Sequence, residues 1–580
     1  MPSGRILSER AEFLLLSFLT GLGSGLAAVL LEKTISLIQS FVFPIVNKGG
    51  FSFIALVFPA LGMLVSMLLI RYVIKDDIGH GVTKVLQAIS RNESRIKPHN
   101  TWSSMLTSAV TIGFGGSVGA EAPIVYTGAA IGSNIGRLFR LPYRGITILV
   151  GCGAAGAIAG IFKAPLAGIL FTLEILLFNI SMSSMMPLLI STLTATVVSY
   201  VFTGTGTPFS CTIAPFSMGN MPYYIVLGGV CGIFSLYFTR FTLFLEDRFA
   251  KIGGSWVKWA VCSAGLGLCI LLFPPLFGEG YNFLGSLLNG ASWNFDGESP
   301  LSFMLHTFWG VPLFVLMVLL VKVVSMTLTN SGGGVGGTFG PTLFTGALAG
   351  FIVSRSIGLL GVPLPEQNFV LVGMAGLMAG VMQAPMTAIF LIAEITGGYD
   401  LLLPLILCAA VSFGVTRLRE KYSIYSKRLA QKGELLTHDS DQAVMSLLDP
   451  SALVSDKYPR IGAEQTLADI LPIIASSTVA VFPVLDSDSK LAGILEMDDL
   501  RKYILGAGDP GAIPVRALMH APRATVMQGE PVESVMRKFD GTESWRLPVL
   551  DASGTYVGFI SRSRILDAYR RELRRISSED

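Results

Sequence analysis

Of 580 residues, 51% are hydrophobic and only 14% charged, and the mean hydropathy is +0.63. Soluble globular chains carry about a quarter charged residues, so this composition excludes them and indicates a polytopic membrane protein. The formal net charge of +3 is too small to indicate nucleic-acid binding.

The first apolar run covers residues 12–31. Arg5, Glu9 and Arg10 precede it, and it is too long and lacks the small-residue cleavage site of a removable signal, so a retained span is expected. Residues 51–70 carry no charge and reach the roughly 20 residues that cross a bilayer. Further spans are expected near 222–245, 258–277, 306–328 and 401–416. Arg71, Lys75, Lys84, Arg91, Arg95 and Lys97 follow the second span, on the same side as Arg5 and Arg10. Their positive charge assigns that side, with the N-terminus, to the cytoplasm.

Residues 116–123, Gly-Ser-Val-Gly-Ala-Glu-Ala-Pro, reappear in altered form at 334–341 as Gly-Val-Gly-Gly-Thr-Phe-Gly-Pro, an offset of 218. A Gly-rich turn feeding a proline at the first helical position leaves free N–H groups at a helix N-terminus, where negative charge is favoured. Two such ends buried in a membrane suggest a path for anions. Glu121 sits inside the first turn and Phe339 takes its slot in the second. A carboxylate there is a built-in anion that competes with a mobile one and leaves on protonation. An intramembrane acid is a functional group by default.

A second repeat accompanies the first. Ala164-Pro165 with Glu174 matches Ala384-Pro385 with Glu394 at an offset of 220. Gly- and Pro-interrupted apolar segments in corresponding places of two halves, here 12–205 and 220–425, point to a transporter whose site lies at the midplane between broken helices. The residues alone leave open whether the halves are inverted or parallel. Cys152, Cys211, Cys231, Cys262, Cys269 and Cys408 have no metal-ligand spacing and read as buried thiols. The scattered histidines His80, His99, His306, His438 and His520, without an HExxH motif, give no enzyme site.

Beyond about residue 425 charge rises and the segments shorten to soluble α/β length. Pro483-Val-Leu-Asp486 and Gly493-Ile-Leu495 recur 65 residues later as Pro548-Val-Leu-Asp551 and Gly558-Phe-Ile560. Each copy reads strand, turn, strand, helix.

With these motifs in place, the membrane part resembles the CLC chloride channels and transporters, and the tail resembles a tandem pair of CBS domains. Gly79-His80-Gly81-Val82-Thr83, Gly119-Ala120-Glu121-Ala122-Pro123 and Gly337-Thr338-Phe339-Gly340-Pro341 stand where that family has its three signature stretches, and Tyr425 fits the tyrosine closing the inner end of its pathway. The resemblance implies an all-α polytopic membrane domain over 1–430, an inverted-repeat CLC fold with broken helices. A linker over 431–445 and a cytoplasmic α/β tandem of CBS domains over 446–507 and 513–574 follow. It further implies a homodimer in which each subunit carries its own pathway through the lipid bilayer, with chloride as substrate and no required cofactor. Glu121 becomes the gate and proton acceptor; His80, Gly119, Ala120, Ala122, Thr338, Phe339 and Tyr425 become anion-binding positions. Taking an ion into a low dielectric costs on the order of 20 kcal/mol in the idealised limit. One helix end returns about 0.3–2 kcal/mol, so several donors must converge.

Departures from the family pattern bear on mechanism. His80 replaces a hydroxyl residue and is either an anion ligand or a residue at a helix start that does not touch the ion. Ala120 stands for an arginine and Ala122 for a glycine. Ile175 occupies the position of the inner proton glutamate, which favours a passive, voltage- or pH-gated chloride channel over the alternative, a chloride/proton antiporter. Glu174 reads as a helix-end group, because its repeat mate Glu394 suggests a shared scaffold role. A membrane sensor without transport is the remote alternative. In the tail, the adenine-nucleotide pattern keeps its acid only at Asp499 and its hydroxyl only at Ser561, so neither copy is complete and a dimerisation module is the competing reading. The plain loops suggest a prokaryotic inner membrane.

Overall fold

The computed structural model describes residues 9–47, 54–176, 184–206, 213–288, 299–431, 448–504 and 510–577. Arg5, the first three residues of the expected 51–70 span, Cys211, His438, nearly all of the expected linker 431–445, and residues 446–447 and 505–507 lie outside them. The chain divides into two units, Met1–Leu435 and Leu436–Asp580.

In the first unit, 8 helices among the described residues are long and apolar enough to cross a membrane. The first helix, Glu9–Asn47, runs well past the expected 12–31 because apolar residues resume beyond Glu32 and Lys33. Tyr143–Phe162, Met185–Thr203 and Phe339–Leu359 are further spans beyond those expected. They are rich in Gly, Ala, Ser and Thr, which let helix backbones approach closely. The segment expected to span at 401–416 is a helix of only 16 residues, Leu402–Arg417, packed against Met221–Ala250 and Glu366–Met382.

The helix pair Glu121–Leu138 and Tyr143–Phe162 recurs as Phe339–Leu359 and Glu366–Met382. Gly128 and Gly153 touch so closely that a Cβ on Gly128 would lie 2.2 Å from the Gly153 carbonyl oxygen; the mate pair Gly346 and Gly373 gives 2.5 Å. Each pair ends in a left-handed residue, Lys163 (φ 55°) or Gln383 (φ 53°). An Ala-Pro step then starts a short helix, Pro165–Phe171, continued by a π-helical turn over Thr172–Leu176, or Pro385–Ile395.

Contacts between the halves are reciprocal. The Ser117 amide donates to Thr329 Oγ1 at 3.2 Å and the Val335 amide donates to Thr111 Oγ1 at 3.0 Å, the same bond made twice with the halves exchanged. Such exchange is the mark of a two-fold axis. It excludes a head-to-tail contact between the halves; a two-fold axis in the membrane plane and one along its normal both produce it.

The second unit contains two three-stranded sheets of one design. Ile461–Gly462 runs parallel to Val481–Leu485, which pairs antiparallel with Leu491–Glu496; Val526–Met527, Arg546–Leu550 and Tyr556–Ser561 repeat the arrangement. The turn between the antiparallel strands is fixed each time by an aspartate. Asp486 accepts the amides of Asp488 and Lys490 at 3.0 and 2.8 Å, and Asp551 those of Ser553 and Thr555 at 2.9 and 2.8 Å. The five described cysteines are free and four are buried.

Candidate functional site

The two Gly-rich turns meet. Gly119 and Gly337 form an antiparallel bridge in which each amide donates to the other's carbonyl, at 3.1 and 2.7 Å. The third signature stretch reaches the same point: a Cβ on Gly81 would fall 2.2 Å from the Ala122 carbonyl oxygen, and one on Gly337 would fall 2.7 Å from the Ala122 Cβ. Glycine is required at both because backbone passes over backbone. Three helix starts, at Gly81, Glu121 and Phe339, therefore converge around Ala122.

The prolines do not stand at the first helical position, as the turns suggest. Glu121 and Phe339 do, and Pro123 and Pro341 come third. The first four amides of a helix have no intrahelical acceptor, so proline is tolerated anywhere in that turn. The consequence is that the amides of Glu121, Phe339 and Gly340 are themselves helix-end donors.

Glu121 is buried, 2% exposed. Its Oε2 accepts the Gly340 amide at 3.1 Å and its Oε1 accepts the Tyr281 hydroxyl at 2.5 Å. The carboxylate of one repeat's helix thus lies on the N-terminus of the other's. Thr338 stands just before that second helix start without a side-chain capping bond and donates through Oγ1 to Tyr425 Oη at 3.3 Å; Tyr425 is 1% exposed. Phe339 is buried against the rings of Phe162 and Phe171, with centroids 5.6 and 6.2 Å away.

His80 precedes the helix Gly81–Arg91 without capping it through its side chain. Its Nε2 lies 3.4 Å from Glu246 Oε1, and Glu246 also takes Arg428 Nη2 at 2.6 Å. His80 and Glu246 line a cavity of about 290 Å³ together with Asp77, Lys258 and Asn330. Ile175 is a buried core residue in the π-helical turn after Pro165–Phe171.

Four participants escape a sequence reading. Gly340 contributes an amide and no side chain. Glu279 and Tyr281 flank a glycine in Phe277-Gly-Glu-Gly-Tyr281, and Glu279 Oε1 accepts the Ala120 amide at 3.2 Å. Lys322, fully buried, donates to Ser117 Oγ at 2.8 Å and to the carbonyls of Gly278 and Glu279 at 3.1 and 3.2 Å, with its Nζ 5.0 Å from the Phe344 ring centre. The signal was there: Lys322 is the only charge in the span Gly310–Ser331.

In the second unit, Asp499 accepts the Glu496 amide at 3.1 Å and lies 3.2 Å from His520 Nε2. The Ser561 hydroxyl accepts the Arg564 amide at 3.3 Å. Both are engaged at the starts of their own helices. Ser561 also lines a cavity of about 550 Å³ with Arg501, His520, Arg523 and Trp545.

Residues 61–417 match the family described as voltage gated chloride channel, and residues 451–506 and 515–571 match the CBS domain. The chain belongs to the CLC family. It is a multi-pass membrane protein of anion transport with a tandem CBS pair. It is 28% identical over 385 residues to a putative chloride channel protein ClcB-like of Ralstonia nicotianae, covering 65% of this chain and 85% of that one. It is 28% identical over 440 residues to chloride channel protein CLC-e of Arabidopsis thaliana, covering 70% and 59%. Against the H(+)/Cl(-) exchange transporter ClcA of Salmonella arizonae it is 27% identical, covering 76% and 92%. The fold is shared with a slow cyanobacterial Cl-/H+ antiporter (TM-score 0.63, 22% identity, 73% of this chain and 98% of that one). It is shared also with a eukaryotic CLC transporter (TM-score 0.60, 17% identity, 96% and 98%).

Proposed function

We propose that this chain carries chloride across the membrane through a pathway at the junction of its two repeats, gated by Glu121, and exchanges it for protons. The observation that carries the reading is the Glu121 carboxylate on the Gly340 amide, a tethered anion seated on the opposite helix end. In this reading the backbone at Gly119, Ala120, Ala122, Thr338 and Phe339 and the Tyr425 hydroxyl surround the anion, and His80 stands at its approach beside Glu246. Protonation neutralises Glu121 and releases it, so each departure of the gate moves a proton.

Exchange is supported by closure at two places. Glu121 shuts one side of the second turn, and the Thr338–Tyr425 hydrogen bond engages its other end. A pore needs one gate, whereas alternating access needs a barrier on each side of the site. Ile175 favours the second reading, passive conduction, because it offers no proton a foothold at the inner glutamate position. Chloride efflux from proteoliposomes with simultaneous external pH recording separates the two: proton uptake in fixed ratio to chloride supports exchange, and efflux without it supports the pore. Under exchange Glu121→Gln is expected to abolish the proton component, under passive conduction to remove the pH dependence of the flux, and unchanged behaviour in this variant overturns the gate.

The same reading makes the protein a homodimer, testable by mass photometry in detergent, with the N-terminus and the CBS pair on the cytoplasmic side. The CBS pair serves as a dimerisation and stability module, since Asp499 and Ser561 are occupied at their own helix starts. Heat on titrating the full-length protein with ATP, ADP or AMP would instead make it a nucleotide sensor.

A further inference from the structure

The segment Gly278–Tyr281 lays two side chains on the turn pair. Gly278 and Gly280 both have positive φ, 70° and 95°, so the chain turns on each side of Glu279 and sends it inward. A Cβ on Gly280 would lie 2.6 Å from the Phe344 ring, which excludes any other residue there. The Gly278 amide donates to the Gly115 carbonyl at 2.9 Å, and Lys322 ties the carbonyls of Gly278 and Glu279 to the Ser117 hydroxyl. A buried lysine therefore fixes this segment against the first Gly-rich turn. From it, Tyr281 reaches Glu121 and Glu279 reaches the Ala120 amide.

Ala120 is the residue before the helix Glu121–Leu138, and its amide lies outside the helical ladder. The acceptor it has found is a carboxylate, the chemical equivalent of an anion. Glu121 and Glu279 share no donor in the described structure: one takes Tyr281 and Gly340, the other Ala120.

We propose that Glu279 is a second tethered anion, holding the Ala120 amide that a passing halide would otherwise take, so that the Glu121 end of the pathway is closed by two carboxylates on two adjacent positions. The proposal rests on the reading of Glu121 as gate. A halide arriving from that end displaces Glu279 before it meets Glu121, so Glu279 sets how much halide is needed on that face. Lys322 keeps the displaced carboxylate close by holding its backbone.

The test is chloride flux through the full-length protein in proteoliposomes, with chloride titrated separately on each face, for Glu279→Gln and Glu279→Ala. Gln keeps the shape and removes the charge; Ala frees the amide. Both are expected to lower half-saturating chloride by about tenfold on one face, with little change in maximal rate and none on the opposite face. Unshifted half-saturation in both variants overturns the proposal. So does loss of flux in the isosteric Gln variant, because removing a competitor cannot abolish the transport it impedes. Glu121→Gln run in parallel keeps the two ideas apart: if it transports as the parent does, the gate reading itself fails; if it is altered while the Glu279 variants are unshifted, only the second tethered anion falls.

Discussion

Glu174 and Glu394 each cap the helix of the opposite repeat. Glu174 accepts the amides of Met386 and Thr387 at 3.0 and 2.7 Å and the Thr387 hydroxyl at 2.6 Å; Glu394 accepts the amides of Leu166 and Ala167 at 3.0 and 2.8 Å. Proline at the first helical position supplies the helix start, and a carboxylate from across the axis satisfies the amides that follow. A hydrogen bond to a charged group is worth about 1.5–3 kcal/mol. Glu174→Gln and Glu394→Gln are therefore each expected to destabilise the membrane unit by about that much, read as a lower unfolding temperature in detergent. Glu174→Gln should keep the parent ratio of chloride to protons, and a changed ratio would make Glu174 a proton carrier.

Gly340 supplies the amide under the Glu121 carboxylate and also the space for it. A Cβ there would sit 3.0 and 3.1 Å from the two Glu121 carboxyl oxygens and 3.1 Å from the Tyr281 hydroxyl. These are ends of side chains and not backbone, so Gly340→Ala should fold and push Glu121 off its seat. Weakening the closed state by about 1 kcal/mol raises flux at low chloride about fivefold. Flux equal to the parent's would place the closed gate elsewhere.

The Thr338–Tyr425 bond at 3.3 Å is neutral and buried. Its loss costs about 0.5–1.5 kcal/mol, and Tyr425→Phe and Thr338→Val should each speed flux by up to about tenfold. One bond cannot be broken twice, so the double variant should exceed neither single by much. Additive effects in a double-mutant cycle would show that the two side chains act separately.

Acid should loosen the second unit at its turns. The Ser553 hydroxyl, with the Thr555 amide, holds the Asp551 carboxyl below the usual carboxylate range, and the amide and hydroxyl of Thr466 do the same for Asp469. A depressed folded-state pKa gives stability that is present above the unfolded value and is lost as pH falls through the folded one. Amide exchange in full-length protein, corrected for intrinsic rate, should therefore show turn 551–555 opening only below about pH 4. Asp551→Asn should remove that dependence.

Glu121 and the paired turns were legible because a lone acid among glycines in an apolar chain has few structural explanations. Glu174 was legible as a scaffold through its mate Glu394, although the crosswise nature of the caps needed coordinates. Gly340 was hidden because a backbone amide leaves no mark in residue identity. Glu279 and Tyr281 come from a segment far along the chain, and only tertiary packing places them beside Ala120 and Glu121. The His80 ring approaches Glu246, another distant partner. Tyr143–Phe162 and Met185–Thr203 are as apolar as the expected spans, with mean hydropathies of 2.0 and 1.7, so hydropathy alone suffices to find them.

The Gly119–Gly337 bridge bears on biogenesis. The two turns it joins leave the ribosome far apart in time, so an unfinished polypeptide has one glycine turn and no counterpart to pair with. In the proposed reading, the anion site and the seat of the Glu121 carboxylate on the Gly340 amide form only once the second turn has been inserted. If the pathway lies where proposed, a nascent chain abandoned midway has neither the conduit nor its closure, since both need the second turn.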